Sequence, residues 1–239
     1  MKLFHTIALL LLFSLPALAQ EKEKSDTTKV KVKPDFRPTG VRFGTDAIAL
    51  AKSHYDKTFK GWEFNGDIDF YRYYLAVDYG HWGRTYLSDG DSSNYTNTGN
   101  YFRVGIDVNF LKNDPDRNMF FVGFRYGVSK FSEQYSVIVV DSLWAPGTNY
   151  VYSGTYNNTD VSAHWLELTT GLRVKIWKMI WMGYTARFKF GLSTGSTPAM
   201  LPHDVPGYGL AEKDSYWGFN YQIFIRIPFR KLPTVSPEK

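Results

Sequence analysis

The sequence predicts an all-β protein: an antiparallel, up-and-down transmembrane β-barrel of eight strands with a polar, packed lumen. Three observations lead to this prediction. Apolar and polar residues alternate with a period of two along most of the chain. Short and long connections alternate between the strands. The apolar face also carries more bulky side chains than the interior of a small barrel can hold.

The alternation defines eight predicted strands, and no helical periodicity competes with it outside the N-terminal segment. The strands are expected at residues 40–50, 61–71, 73–82, 101–111, 118–131, 163–176, 180–192 and 215–229. In the stretch YFRVGIDVNFL, Phe102 and Ile106 fall on one face, while Arg103, Gly105 and Asp107 fall on the other. Each strand therefore has two chemically different faces.

The predicted connections alternate strictly in length. The short ones are residue 72, residues 112–117 and residues 177–179, and the long ones are residues 51–60, 83–99, 132–162 and 193–214. Transmembrane barrels have short turns at the periplasmic end and longer loops at the extracellular end. The pattern thus favours a membrane barrel.

The volume of the side chains decides which face is inside. Eight strands leave an interior only wide enough for side chains or one small ligand. Several dozen large apolar residues would overfill that space. On the outer face they would contact lipid, where the size of a side chain is not restricted. Glycines on the polar face, such as Gly105, Gly123 and Gly127, suit a narrow, crowded lumen.

Charged residues on the polar face form a nearly neutral set. Buried charges are tolerated when they are paired, so we expect an ion-pair network that fills the lumen. The acids lie mainly on strands two to four and the bases mainly on strands five to eight, so pairs are expected to cross the barrel. The predicted network residues are Arg42, Asp46, Glu63, Asp67, Asp69, Asp78, Arg103, Asp107, Arg125, Glu167, Arg173, Lys175, Arg187, Lys189 and Arg226.

The ends of the chain differ in composition from the predicted barrel. Lys2, the apolar run at residues 7–15 and a small-x-small cleavage site ending at Ala19 form a secretory signal pattern. The charged, polar residues that follow resemble a disordered segment. The expected parts are a signal peptide (1–19), a disordered periplasmic leader (20–39), the barrel (40–230) and a C-terminal tail (231–239).

The composition excludes several functional classes. The chain has no cysteine, so disulfides, thiolate metal sites and cysteine nucleophiles are absent. No clustered basic module indicates nucleic-acid binding, and no metal, cofactor or common catalytic motif is found. The aromatic fraction is 18%, which is high for a chain with a mean hydropathy of -0.31. Membrane barrels carry girdles of aromatic residues at both membrane interfaces, which would account for this high fraction.

The segments YFRVGIDVNFL, FFVGFRYGVS and LELTTGLRVKIWK support a resemblance to a known group. The chain resembles an uncharacterised family of Bacteroidota outer-membrane β-barrel proteins over most of residues 40–230. The resemblance implies an outer-membrane location in a diderm (Gram-negative) bacterium and no particular activity. The chain departs from many such barrels because Phe229 is followed by ten further residues instead of ending the chain.

The expected function is a structural or surface-interaction role in the outer membrane, without an open pore and without enzymatic activity. Its expected partners are outer-membrane lipid and, during insertion, the barrel assembly machinery; the ligand of the surface loops is left open. Two alternatives remain. One is an outer-membrane lipid-modifying enzyme that uses His164, three residues from Glu167, or His81. The other is a soluble periplasmic barrel that binds a hydrophobic ligand.

Overall fold

The computed structural model describes residues 35–87, 93–111, 114–141, 150–195 and 201–230. The predicted signal peptide, the leader up to residue 34 and the C-terminal tail lie outside the described residues. The elements are β1 (Gly40–Asp46), α1 (Ala47–Tyr55), β2 (Phe59–Phe70), β3 (Tyr73–Leu87), β4 (Asn94–Asn109), β5 (Met119–Asp141), β6 (Tyr150–Trp177), β7 (Ile180–Ser193), β8 (Asp204–Val205), β9 (Gly209–Leu210) and β10 (Ser215–Pro228).

Eight of the strands form one antiparallel sheet that closes in a ring. Each of β1 to β6 pairs with the next strand in the chain, β7 pairs with β10, and β10 pairs with β1 to complete the ring. The two-residue strands β8 and β9 form a separate small sheet in the β7–β10 connection. The predicted all-β class and the eight-stranded antiparallel sheet are therefore confirmed.

The first strand is shorter than predicted because a helix follows it. We expected a strand over residues 40–50 and no helix after the signal, and both expectations are wrong: β1 ends at Asp46, and α1 begins at Ala47. The Asp46 side chain caps the helix by accepting a hydrogen bond from the Ile48 N–H at 3.0 Å. The segment AIALAKSHY contains three alanines, the residue with the highest helix propensity.

Two of the predicted long loops are mostly strand. Instead of a loop over residues 83–99, β3 continues to Leu87 and β4 begins at Asn94; instead of a loop over residues 132–162, β5 continues to Asp141 and β6 begins at Tyr150. These additional strand residues are rich in Thr, Ser, Tyr and Asn, so the sequence there does not alternate between apolar and polar residues. We call residues 132–141 of β5 and residues 150–162 of β6 the arm.

A β-bulge lies at the base of the arm. The register between β5 and β6 shifts between Phe131 and Glu133, and Asp160 adopts a φ of 61°. Below the bulge Val161 and Trp165 face the interior, whereas above it Asn158 pairs with the buried Glu133. The extra residue on β6 reverses which side chains point outward, and such bulges also bend and twist a strand pair.

The two faces of the closed sheet have opposite chemistry. On β4, Phe102 and Ile106 are 40% and 53% exposed, whereas Arg103 and Asp107 are 2% and 0% exposed. The same arrangement recurs around the ring. Exposed apolar residues on the eight strands include Phe43, Phe64, Leu75, Tyr79, Phe102, Ile106, Phe120, Phe124, Leu168, Leu172, Tyr184, Phe190, Ile223 and Ile225.

The connections differ between the two ends of the ring. Short turns join β2 to β3 and β6 to β7 at one end, which also holds Thr39 and Phe229, linked by a backbone hydrogen bond of 2.9 Å. We call this the short-turn end. The arm, α1 and the β7–β10 connection lie at the opposite, loop end. Within the described parts of the chain, no helix has the length and apolar character needed to cross a membrane.

Candidate functional site

The centre of the ring is filled by a continuous network of ten ion pairs. Five arginines and five carboxylates form it, and every one of these side chains is at most 4% exposed. The arginines are Arg42, Arg103, Arg125, Arg173 and Arg187, and the acids are Glu63, Asp67, Asp78, Asp107 and Glu167. The formal charge of the network is therefore zero.

The ion pairs follow one another from the short-turn end towards the loop end. Asp67 pairs with Arg42 at 2.8 Å and with Arg173 at 2.5 Å. Asp107 continues the series, 3.4 Å from Arg173 and 2.9 Å from Arg125. Each acid thus lies between two cations, so removing one acid leaves two buried cations with fewer partners.

The loop-end half of the network crosses the ring. Arg187 on β7 pairs with Asp78 on β3 at 3.1 Å and with Glu167 on β6 at 2.8 Å. Arg103 on β4 pairs with Glu63 and also lies 3.6 Å from Glu167. The Arg187–Glu167 pair joins the neighbouring strands β7 and β6, while the other three contacts connect strands that are not neighbours in the sheet and hold its walls together.

Neutral side chains complete the coordination of these charges. The Asn65 amide donates to Glu63 at 2.7 Å and to Asp78 at 2.8 Å. The Trp165 indole N–H donates to Glu167 at 2.7 Å. Trp165 fits there because its ring lies against Gly127, where a Cβ atom would come within 2.3 Å of it.

Five of the fifteen predicted network residues lie outside this network. Asp69 and Arg226 pair at 3.1 Å near the short-turn end. Asp46 and Lys189 are buried but have neutral partners: Asn220 donates to Asp46 at 2.5 Å, and Lys189 donates to backbone carbonyls. Lys175 is not in the interior, since it pairs with Asp116 at 2.9 Å in the short-turn region, with both side chains substantially exposed. It lies too close to the end of β6 for the closed sheet to enclose it.

Three further residues with contacts in or near the interior were not among the predicted network residues. Arg117 lies 3.8 Å from Asp69; it belongs to the β4–β5 connection, as predicted, and its side chain is 25% exposed. Thr185 and Gln222 form a buried hydrogen bond of 2.9 Å. Period-two alternation does place Thr185 and Gln222 on the polar face, so a search that included neutral polar residues would have found them.

A short hairpin from the β7–β10 connection occupies the loop end of the ring. We call residues 203–211 the plug; they contain β8, β9 and the turn between them. Val205 and Tyr208 are 0% and 1% exposed and pack in a buried apolar cluster with Tyr101, Phe131, Val161, Ala163 and Trp165. The turn uses Gly207 at a φ of 81°, which glycine adopts without strain.

Polar contacts hold the plug against the wall of the ring. The Lys189 ammonium donates to the carbonyl oxygens of Gly207 and Tyr208 at 2.7 and 2.9 Å. The Asn97 amide donates to the carbonyl of Asp204, and the Trp82 indole N–H donates to its carboxylate at 3.2 Å. Burial raises the pKa of the Asp204 carboxyl.

A cavity of about 240 Å³ lies between the plug, α1 and the inner wall. Asp46, Glu63 and Asn220 contribute polar groups to it, and Trp82 and Tyr216 contribute aromatic surface. Of the charged groups that line it, Asp46, Glu63, Arg103 and Lys189 already have polar partners within the protein, and the Lys52 ammonium lies 4.6 Å from the centre of the Phe59 ring. The cavity is large enough for water or a small solute.

The histidines considered as catalytic bases do not form a catalytic group. His164 and Glu167 are three residues apart on one strand and therefore point to opposite faces; Glu167 is buried, and the His164 ring lies 6.4 Å from that of Tyr126. His81 contacts the Asn100 side chain at 2.9 Å. Among the residues that the structure describes, no group of His, Cys, Asp and Glu suits a metal ion.

The fold and interior together define a class: closed eight-stranded antiparallel sheets with a charged, packed interior and an apolar exterior. The family described as Domain of unknown function (DUF6048) matches residues 1–232, and the chain belongs to this family. The prediction of an uncharacterised family is thereby confirmed, while a Bacteroidota source stays a prediction. No curated protein matches the chain.

Proposed function

We propose that this protein is a small β-barrel of the outer membrane of a diderm bacterium, with a structural or surface-interaction role and no open pore. In this proposal the signal peptide directs export and is cleaved. The barrel assembly machinery then inserts the chain, and outer-membrane lipid surrounds the ring.

The observation that supports the proposal is the inverted polarity of the closed sheet. Water-soluble proteins rarely expose large contiguous apolar patches, yet here every strand of the ring presents large apolar side chains outward. Inside the ring lie five arginines and five acids, which suit neither a hydrophobic ligand nor the core of a soluble barrel. Lipid is the solvent that fits the exterior.

The two ends of the ring suggest an orientation. In outer-membrane barrels short turns face the periplasm, and longer loops face the exterior. The short-turn end would then be periplasmic, together with Thr39 and Phe229, while the arm, α1 and the plug would face the medium. The arm is the most extended of these features, so it is the part that we propose for surface interactions.

The filled interior supports a role other than a channel. The ion-pair network spans the centre of the ring, and the plug packs above it. An eight-stranded ring holds only side chains or one small ligand, so no continuous water path is expected.

Site-directed fluorescence quenching tests the proposal. Because the chain has no cysteine, single cysteines at residues 102–109 can carry a fluorophore in protein folded into lipid vesicles. Lipid-borne quenchers should act at even-numbered positions, such as 104 and 106, and spare odd-numbered ones, such as 103 and 107. Equal quenching at both parities, or a protein that stays in the aqueous phase, would reject the membrane barrel.

Cell fractionation and gel mobility provide an independent check. The protein should occur in the outer-membrane fraction and should migrate differently on gels before and after boiling, as folded barrels do. Recovery in the soluble periplasmic fraction would favour the alternative of a soluble barrel.

A further inference from the structure

The arm leaves one long strand edge without a neighbour. β6 pairs with β5 from Tyr150 onward, but its pairing with β7 begins only at His164. After β7, Gly195 lies against Val161 and Ser162 and covers the base of the arm. Among the described residues, no strand pairs with the other side of β6 over residues 150–159.

This edge lacks the features that usually prevent strand pairing. Natural edge strands are protected by lysines, prolines, inward charges or bulges within the strand. Residues 150–159 read YVYSGTYNNT and contain no charged residue and no proline. The bulge at Asp160 lies at the base of the arm and leaves the edge above it regular. Val151, Tyr152 and Tyr156 are 65%, 57% and 49% exposed.

We propose that this edge pairs antiparallel with the same edge of a second copy of the chain, about a two-fold axis. Ten residues at about 3.3 Å each provide an edge of roughly 33 Å. In a two-fold arrangement the same segment of each copy pairs with its equivalent, so the unpaired edge N–H and C=O groups of both copies become hydrogen-bonded. Since the segment is uncharged, the pairing brings no like charges together, and Tyr152 and Tyr156 of both copies share one face.

The proposed membrane orientation constrains which copies can pair, and this step rests on the proposed function. Strands in membrane barrels tilt by about 35–45° from the membrane normal. If the arm keeps that tilt, two copies in one membrane, related by an axis along the normal, would cross their arms at about 70–90°, too steep for a ladder. Copies in two facing membranes, related by an axis in the membrane plane, can align their arms antiparallel. The contact would therefore join two membrane surfaces.

Paired lysine variants test the edge directly. Ser153→Lys/Thr155→Lys places two charges on the edge strand, and Ser132→Lys/Gln134→Lys places two charges on the same outward face of β5, which has neighbours on both sides. Light scattering on the detergent-folded protein should show a dimer for the unmodified chain and for the β5 control. The edge variant should dimerise about tenfold more weakly. A monomeric unmodified protein, or equal dimerisation of all three, would overturn the proposal.

A charge-swap experiment identifies the occupant as a second copy. Ser153→Glu/Thr155→Glu should also fail to dimerise alone, whereas an equimolar mixture with the lysine variant should recover the dimer. Hydrogen exchange in the mixture should then show protection of those amides of residues 150–159 that point away from β5, and the same amides should exchange fast in each variant alone. Absence of recovery, or protection of these outward amides in the monomer, would reject pairing between copies.

Vesicle clustering tests the contact between membranes, and gel mobility separates the two proposals. Vesicles carrying the unmodified protein with the loop end outward should cluster, and those carrying the edge variant should stay dispersed. A protein that dimerises through the edge but shows no boiling-dependent mobility would retain the edge contact and reject the membrane barrel. A heat-modifiable protein whose vesicles do not cluster would retain the barrel and reject the contact between membranes.

Discussion

The interior of the ring is filled in two different ways. Its centre holds charged side chains from the strands themselves, each paired with partners on other strands. Its loop end holds apolar side chains, and two of the most buried, Val205 and Tyr208, come from a connection that folds back into the ring. The centre is therefore specified by the strand register, whereas the loop end depends on the conformation of one loop.

This difference predicts different responses to mutation. A buried charge that loses its partner remains in a medium of low dielectric, so damage at the centre is large and cannot relax. The plug is held against the ring by one apolar cluster and a few hydrogen bonds, so damage there is expected to be smaller and more local. The following predictions test this contrast, beginning with the largest effect.

Replacing Asp107 should have the largest effect. Asp107→Asn removes the negative charge that Arg125 and Arg173 share, and we expect a loss of about 3–5 kcal/mol in the free energy of unfolding. The measurement is urea unfolding in lipid vesicles. The control is Asp116→Asn, which breaks the exposed pair with Lys175 and should cost about 0–1 kcal/mol. Similar losses for both variants would contradict a buried network.

An arginine on the outer face should have the next largest effect. Ile106→Arg introduces a charge next to Asp107 in sequence but on the outer face, which the proposed function places against lipid, and should cost about 2–4 kcal/mol if Ile106 lies near the membrane midplane. Thr98→Arg, on the same face nearer the loop end, should cost far less. Stability that is unchanged by Ile106→Arg would be inconsistent with a lipid-facing exterior.

Shortening a plug side chain should have a moderate effect. Val205→Ala removes two methyl groups from a fully buried site and should cost about 1–2 kcal/mol. Because the plug is a local structure, we expect faster cleavage of residues 203–211 by added protease while the ring stays folded. A cooperative loss of the whole ring, equal to that of Asp107→Asn, would show that the plug is part of the central structure.

Conductance should be unchanged by removing the plug. The unmodified protein should give no stable porin-like channel in planar bilayers, because the network fills the centre. Deleting residues 203–211 and joining the flanking chain with glycines should still give none. Steady channels that appear only in the deletion variant would show that the plug, and not the ion-pair network, closes the ring.

The features predicted from sequence are those with a regular pattern. Alternation located the strands of the ring and put Arg103 and Asp107 on one face. It succeeded because one face of each strand is buried inside the ring and the other is exposed outside it. It failed in the arm beyond Glu133 and Val161, where residues on both faces, such as Tyr156 and Asn157, are exposed and need not alternate with apolar residues. It also missed α1, since that helix buries no residue and shows no apolar stripe.

The plug had no signal that a search for periodicity detects. Its two strands have two residues each, and its buried position depends on contacts with Tyr101, Phe131 and Trp165, which lie far away in the sequence. From the sequence, Val205 was assigned only to a long connection, residues 193–214. Apart from Lys175, the charges predicted from the sequence lie inside the ring, but the sequence did not predict what covers them.

The order of charges along the chain has a consequence for assembly. Strands β2 to β4 carry four of the five network acids and only one of its arginines, while β5 to β7 carry three arginines and one acid. A half-built sheet of either set would hold an excess of one sign on its concave side. The network becomes neutral only when β5 to β7 face β1 to β4 in the closed ring, which β10 completes by pairing with β1. Closure of the ring between β1 and β10 is therefore expected to be all-or-none, because an incomplete sheet would leave unpaired charges that need water or another partner until the last strand is in place.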